Sequence, residues 1–153
     1  MKIVKAEKES IARIISVIND SIENLCHQDH LNKKKHLDEW LNERSQVNLE
    51  NQLFHDNTQT FVCVDKGKII GVSQIDKSGD LKLCYVHSQY TGIGAGRLIL
   101  VAAENQAKEW GLKQVSMVST RTAHDFYQSQ GYINDGKAVA CIGMPGYPLV
   151  KSI

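Results

Sequence analysis

The chain has 153 residues, 42% of them hydrophobic, enough for one compact domain with a real core, expected to run over residues 1–153. With 18 Lys and Arg against 17 Asp and Glu the formal net charge is +1, which signals neither nucleic acid nor an anionic membrane surface as a partner. No apolar run approaches the ~20 residues of a membrane span, and the N-terminal MKIVKAEKES carries charges where a signal peptide has its apolar stretch. A cytoplasmic location is expected.

Lys2 to Lys5 reads as a short first strand. From Ser10 to Leu25, apolar residues fall at Ile11, Ile14, Ile15, Ile18, Ile22 and Leu25, the spacing of a helix face, with Ser10 as its N-cap. Lys33-Lys34-Lys35 is a solvated run. A second helix runs from His36 to Arg44, with Leu37, Trp40 and Leu41 on one face. The polar, poorly periodic stretch from Ser45 to Asn57 is expected as a loop or a frayed helix. TFVCVD and KIIGVSQID are strands joined by Lys66-Gly67, a tight hairpin signal, and SGD turns the chain into a third strand, LKLCYV.

After Val86 the character changes. A glycine turn, a helix from about Ala95 to Trp110 ended by Gly111, and the strand QVSMVS make a strand–helix–strand unit. The second strand of such a unit is expected parallel to the first. The helix TAHDFYQSQ ends at Gly131, and YINDGKAVACIGMPGYPLVKSI suits two closing strands. Antiparallel strands in the first half and a parallel crossover in the second give a mixed, mostly antiparallel α/β sheet with flanking helices.

Cys26, Cys63, Cys84 and Cys141 are scattered without disulfide-framework spacing, and Cys63 and Cys84 lie in apolar runs as expected reduced core residues. Cys26, His27 and His30 in CHQDH raise a metal reading. No second ligand cluster accompanies them, so a polar helix end is preferred and no metal is expected.

Gly92, Gly94 and Gly96 recur every second residue between an apolar strand and a helix. Glycines at that junction let backbone N–H groups approach a ligand, and the helix N-terminus adds about half a positive charge, which suits a phosphate or pyrophosphate. A P-loop needs Gly-Lys-Ser or Gly-Lys-Thr, absent here. A dinucleotide fingerprint counted from Gly92 demands glycine where the chain has Arg97, and the next strand ends Ser119-Thr120 rather than in an acid for a ribose.

Gln89-Tyr90-Thr91-Gly92-Ile93-Gly94 instead resembles the Q/R-x-x-G-x-G/A signature of the GNAT superfamily of N-acetyltransferases. Downstream, Ala123-His124-Asp125-Phe126-Tyr127 followed by Gly131-Tyr132 resembles the family's A-x-x-F-Y-x-x-x-G-F/Y element. The resemblance covers nearly the whole chain, most closely from about residue 60 to 132. It implies acetyl-CoA as acetyl-donor substrate, bound where two parallel strands splay apart. The pyrophosphate would rest on the turn from Thr91 through Gly92, Ile93, Gly94, Ala95 and Gly96 to Arg97, with Gln89 opening the motif. The pantetheine arm would pair with the strand edge at Tyr85 and Val86.

The implied chemistry is attack of a neutral amine on a thioester carbonyl through a tetrahedral intermediate. It needs a base, an oxyanion donor and an acid for the leaving sulfur. By resemblance the acid is Tyr127, and backbone N–H near Val86 is the oxyanion donor. Asp80 and His87 are the candidate bases, His124 a further one, with transfer of the proton to ordered water as the alternative to all three. Thr120 stands where the family often has asparagine. The acceptor side is expected at Cys26–Lys35, Gln46–Gln59 and Gly136–Pro148, where Trp40 lines a pocket or packs in the core. A primary amine of a small molecule or a peptide is the expected acceptor. A non-catalytic acyl-CoA-binding sensor of the same fold is the alternative, and the apolar YPLV run is compatible with a homodimer.

Overall fold

The structure is a computed structural model that describes residues 1–153. Four helices follow the first strand, β1 (Lys2–Lys5): α1 (Ile11–Leu25), α2 (His27–His30), α3 (Lys34–Glu43) and α4 (Gln46–Leu53). Then come β2 (Thr58–Asp65), β3 (Lys68–Asp76), β4 (Leu81–Val86), α5 (Ala95–Glu109), β5 (Gln114–Ser119) and α6 (Arg121–Ser129). The chain closes with β6 (Ile133–Asn134), β7 (Val139–Cys141) and β8 (Met144–Ser152).

Two sheets result, one in the order β1-β2-β3-β4 and one in the order β5-β8-β6 with β7 also on β8. Within each sheet every neighbouring pair is antiparallel. The β2–β3 turn has positive φ at both Lys66 (49°) and Gly67 (77°), the twist that closes a two-residue hairpin. The sheets meet at one parallel bridge, Asp80 to Ser116, where the Ser116 amide donates to the Gly79 carbonyl at 2.9 Å. Beyond it β4 and β5 pair no further. This is the parallel splayed pair that the resemblance implied.

The core has three parts. Ile14, Ile18 and Ile22 of α1 pack with Trp40, Leu49 and Leu53 against Val62, Val72 and Leu83 on one face of the first sheet. Ala95 and Ile99 of α5 meet Cys63 and Ile70 on the other face. Ile75 and Leu81 join Leu100, Val115, Tyr127 and Leu149, so one apolar cluster fastens both sheets below the splay.

Several elements differ from expectation. Between the loop and the frayed helix expected for this stretch, the structure has a helix, α4 at Gln46–Leu53, because Leu49 and Leu53, four residues apart, are both buried and two apolar residues suffice to dock so short a helix. CHQDH is the polar end that follows α1, but a partly buried one: His27 and Gln28 are exposed while Cys26, Asp29 and His30 are buried, and His30 Nε2 lies 3.0 Å from the Ile22 carbonyl while its Nδ1 accepts from the Asn32 amide. Ser10 sits at the α1 N-cap without a side-chain capping bond; it accepts from Arg13 instead. The C-terminal stretch forms three strands rather than two, since Ile142 and Gly143, with φ of 53° and 75°, fold a tight turn between β7 and β8. Within YPLV, Leu149 is fully buried in the protein's own core. All four cysteines are free, and Cys84 is half-buried at the cleft rather than enclosed in the core. No helix is long and apolar enough to cross a membrane.

Candidate functional site

The splay opens a cavity of about 580 Å³ whose walls come from β4, β5, α6, the glycine turn, α1–α3 and the β7–β8 turn. Two irregularities shape it. In the β3–β4 ladder Gln74 faces Leu83 and Ile75 faces Leu81, so Lys82 is an extra, bulged residue that re-aims the end of β4. At Gly79 φ is +90°, and a Cβ would lie 2.8 Å from the Gln114 carbonyl oxygen. Only glycine lets the two strands approach there before they part.

The turn at the cavity mouth is held from α1. Asp20 accepts from the Ser88 amide at 2.6 Å and the Ser88 hydroxyl at 3.1 Å. Burial opposes ionisation of Asp20, but these bonds and the nearby His87 outweigh it and hold its pKa below the ordinary carboxylate value. Gly92 and Gly94 have φ of 76° and 94°, and a Cβ on either would meet nothing within 4 Å. The space over them is open, and α5 starts at Ala95, so the first amides of that helix lack intrahelical partners and face an accessible mouth. Gly96 differs. A Cβ there would sit 3.4 Å from Phe126, so its small size lets α6 pack close. Arg97 is exposed, lines the cavity and joins none of the ion pairs.

Tyr85, Val86, Thr91, Gly92, Gly94, Gly96, Arg97 and Tyr127 all line this one cavity. Gln89 and Ile93 are exposed outside its lining, and the Ala95 side chain is buried against Ile99. Tyr127 is buried, with its ring edge-on to Phe126 and Tyr132 at centroid distances of 5.3 and 5.8 Å. Burial, reinforced by the neighbouring Cys84, raises its phenol well above the ordinary value. Burial also pushes the Cys84 thiol up to about 11. Both groups keep their protons at neutral pH.

The candidate bases lie elsewhere. Asp80 lies outside the cavity lining and is bound to Lys82 at 2.7 Å. His87 Nδ1 accepts from the Gln89 amide and lies 3.4 Å from Asp20, outside the lining. His124 pairs with Asn134 at 3.3 Å and packs on Tyr147, also outside it. Thr120 caps α6, accepting from the Ala123 amide.

Two polar lining residues, Asp29 and Arg44, were not singled out from sequence, and Trp40 was left open between pocket and core. Asp29, the one carboxylate in the lining, accepts from the Arg121 amide at 2.7 Å, the Thr122 amide at 3.2 Å and the Thr122 hydroxyl, and so tethers α2 to the start of α6. Trp40 does both things weighed for it: it is buried in the core, lines the cavity and donates its indole N–H to the Tyr85 hydroxyl at 3.3 Å. Arg44, the residue that caps the C-terminus of α3, also lines the cavity. No group of three or more His, Cys, Asp or Glu is placed to hold a metal ion.

A family model described as an acetyltransferase (GNAT) domain matches residues 14–153. A GCN5-related N-acetyltransferase from Rhodopseudomonas palustris superposes with a TM-score of 0.88 at 19% identity, covering 99% of this chain and 95% of that one. The PaiA N-acetyltransferase of Thermoplasma acidophilum, solved in complex with coenzyme A, gives 0.87 at 16% identity, covering 99% of this chain and 98% of its own. A ribosomal-protein-alanine N-acetyltransferase from Brucella melitensis gives 0.71 at 19% identity, with 100% of both chains covered. At these identities the likeness is one of fold. Among curated proteins none matches.

Proposed function

The chain belongs to the GNAT family of acetyltransferases, whose model it matches over residues 14–153, and we propose that it moves an acetyl group from acetyl-CoA to a primary amine of a small molecule or peptide. The observation that carries this is the junction of an open glycine turn, a free β4 edge and a protonated Tyr127 in one cavity. Acetyl-CoA supplies a thioester, whose carbonyl carbon accepts the amine and whose sulfur leaves.

Each part of the cavity then has a task. The amides that open α5, with Arg97 beside them, hold the phosphates, and glycine at 92 and 94 keeps the space above them clear. The unpaired edge of β4 at Tyr85 and Val86 offers N–H and C=O groups to an amide-bearing arm, and the Val86 region supplies an oxyanion donor. Tyr127 hands its proton to the departing sulfur. No histidine lines the cavity, and Asp29, its one carboxylate, already accepts hydrogen bonds from α6. The acceptor's own ammonium therefore loses its proton to water.

Calorimetric titration with acetyl-CoA, CoA and NAD tests the reading. Micromolar binding of the two CoA species and none of NAD is expected, followed by thiol release when a primary amine is added. Binding without thiol release from any amine would favour a sensor. No binding of either CoA species would end the acetyltransferase reading.

A further inference from the structure

The α3 wall of the cavity carries a cation that nothing in the protein neutralises. Arg44 lines the cavity, and its Nε is closed off from solvent without a hydrogen-bond partner. The guanidinium joins none of the ion pairs. Its place just after α3 does not account for it. The Arg44 backbone amide bonds the Trp40 and Leu41 carbonyls, yet the side chain reaches no carbonyl of the last turn. A polar N–H withdrawn from water without a partner is costly, and inside this fold nothing offsets that cost.

The surroundings say what would. Trp40 and Arg44 are four residues apart, hence on one face of α3 about 6 Å along its axis. The Trp40 indole holds the hydroxyl of Tyr85, on the strand whose free edge lines the reaction cleft. Asp29, the one carboxylate in the lining, forms no ion pair with it and is turned to the start of α6 instead. Of the two unpaired cations in the lining, Arg97 belongs to the glycine turn and the donor's phosphates. Arg44 is left for the acceptor.

Resting on the acetyl-transfer reading above, we propose that Arg44 determines acceptor specificity by binding a carboxylate, so that the substrate is an amine that also carries a carboxylate group. A guanidinium offers paired N–H donors that match a carboxylate's two oxygens; the Nη groups present them to the cavity, and a turn of the side chain would bring the enclosed, unpartnered Nε–H into the same fork. A polyamine would bring only positive charge to this wall. The reaction forms one C–N bond and breaks one C–S bond. The amine loses a proton, the CoA sulfur gains one, and the carboxylate is unchanged. A free amino acid and a short peptide present the same chemistry.

The test pairs each acid with its amide. Thiol release from acetyl-CoA is followed with glycine, β-alanine, 4-aminobutyrate and 6-aminohexanoate against their carboxamides. Short alanyl peptides with free and amidated C-termini form the second arm. Acids are expected to exceed amides in kcat/KM by about tenfold to a hundredfold, the range of a charge-assisted pair, in the arm that holds the true source. Arg44→Gln should bring the ratio near one, mainly through KM, and Arg44→Lys should restore part of it. Calorimetric binding of the N-acetylated acids and amides to CoA-loaded protein should follow the same order without turnover. Amides equal to acids in both arms, or an acid preference that survives Arg44→Gln, overturns the assignment of Arg44. Failure of the wild-type protein to bind acetyl-CoA in the same calorimeter overturns the acetyl-transfer reading instead, and this proposal with it.

Discussion

A phenol helps a thiolate leave only while it still holds its proton, and burial makes Tyr127 hold it firmly. The same shift makes it a weaker acid, so in the proposed role it would act through position and a low-dielectric setting rather than through acidity. Tyr127→Phe is expected to lower kcat by about a hundredfold, the lower end of general-acid contributions, with acetyl-CoA affinity within about twofold. Unchanged turnover would remove Tyr127 from the mechanism. The pH dependence has a definite sign. Loss of the Tyr127 proton would end its role as acid, and because its pKa is raised, that loss lies above pH 10, clear of the working range. The acidic limb of kcat/KM should follow the ammonium of the acceptor. Two acceptors of different amine pKa should show two different limbs, and a limb common to both would reveal a base on the protein. That Gly92, Gly94 and Tyr127 line one cavity was legible beforehand, the glycines because close approach at a strand-to-helix turn restricts the residue type and Tyr127 because it sits in a motif resembling the family's. Asp29 was not, since its partners are 92 and 93 positions away and only the fold brings α2 to α6. Arg44 was hidden for a related reason. At a helix end a cation is ordinary, and only the packed structure shows it unpaired.

Among the elements, the turn between β3 and β4 decides where the cleft begins. Asp76 accepts from the Ser78 amide at 2.9 Å, the Ser78 hydroxyl at 2.5 Å and the Asp80 amide at 3.1 Å, which seats Gly79 against β5. Gly79→Ala adds a Cβ 2.8 Å from the Gln114 carbonyl oxygen at a φ of +90°. A loss of about 1–2 kcal/mol is expected from the left-handed strain alone, with the Cβ contact adding to it, read as a lower midpoint in urea; an unchanged midpoint would mean the turn relaxes freely. Acid should loosen the same turn. Burial opposes ionisation of Asp76, but the hydrogen bonds from Ser78 and Asp80 and the Lys82 charge outweigh it, so its folded pKa is lowered. Its stabilisation is therefore present above the unfolded value of about 4 and lost as pH falls through the folded one. Thermal midpoints should drop below about pH 4, and less steeply in Asp76→Asn. Local chemistry made this turn legible as SGD, as it made the Lys66-Gly67 hairpin legible. It gave no sign of the bulge at Lys82, which follows from the way β4 must pass β5. It left α4 open between a loop and a frayed helix, because two buried leucines are too few for a visible period.

At the scale of the whole molecule the two sheets share a core below the splay and almost nothing above it. Ile75, Leu81, Val115, Tyr127 and Leu149 close the base, while the strands touch through the one bridge at Asp80 and Ser116. A ligand lying in the cleft would therefore join parts that the protein leaves apart, contacting the glycine turn and β4 on one side and β5 and α6 on the other. Binding to the folded state alone stabilises it by about 2.7 kcal/mol when the ligand is at a hundred times its Kd. For a chain of this size that corresponds to a rise in Tm of about 5–10 °C. Gly94→Val separates this effect from folding. Its Cβ would meet no protein atom within 4 Å, although a φ of 94° adds strain to the empty form. It does occupy the room above the α5 amides. The expected result is a modest fall in Tm without ligand and little or no rise when acetyl-CoA is added. A full rise in Gly94→Val would place the phosphates away from the α5 N-terminus, and the glycines would then serve only to bend the chain from strand into helix.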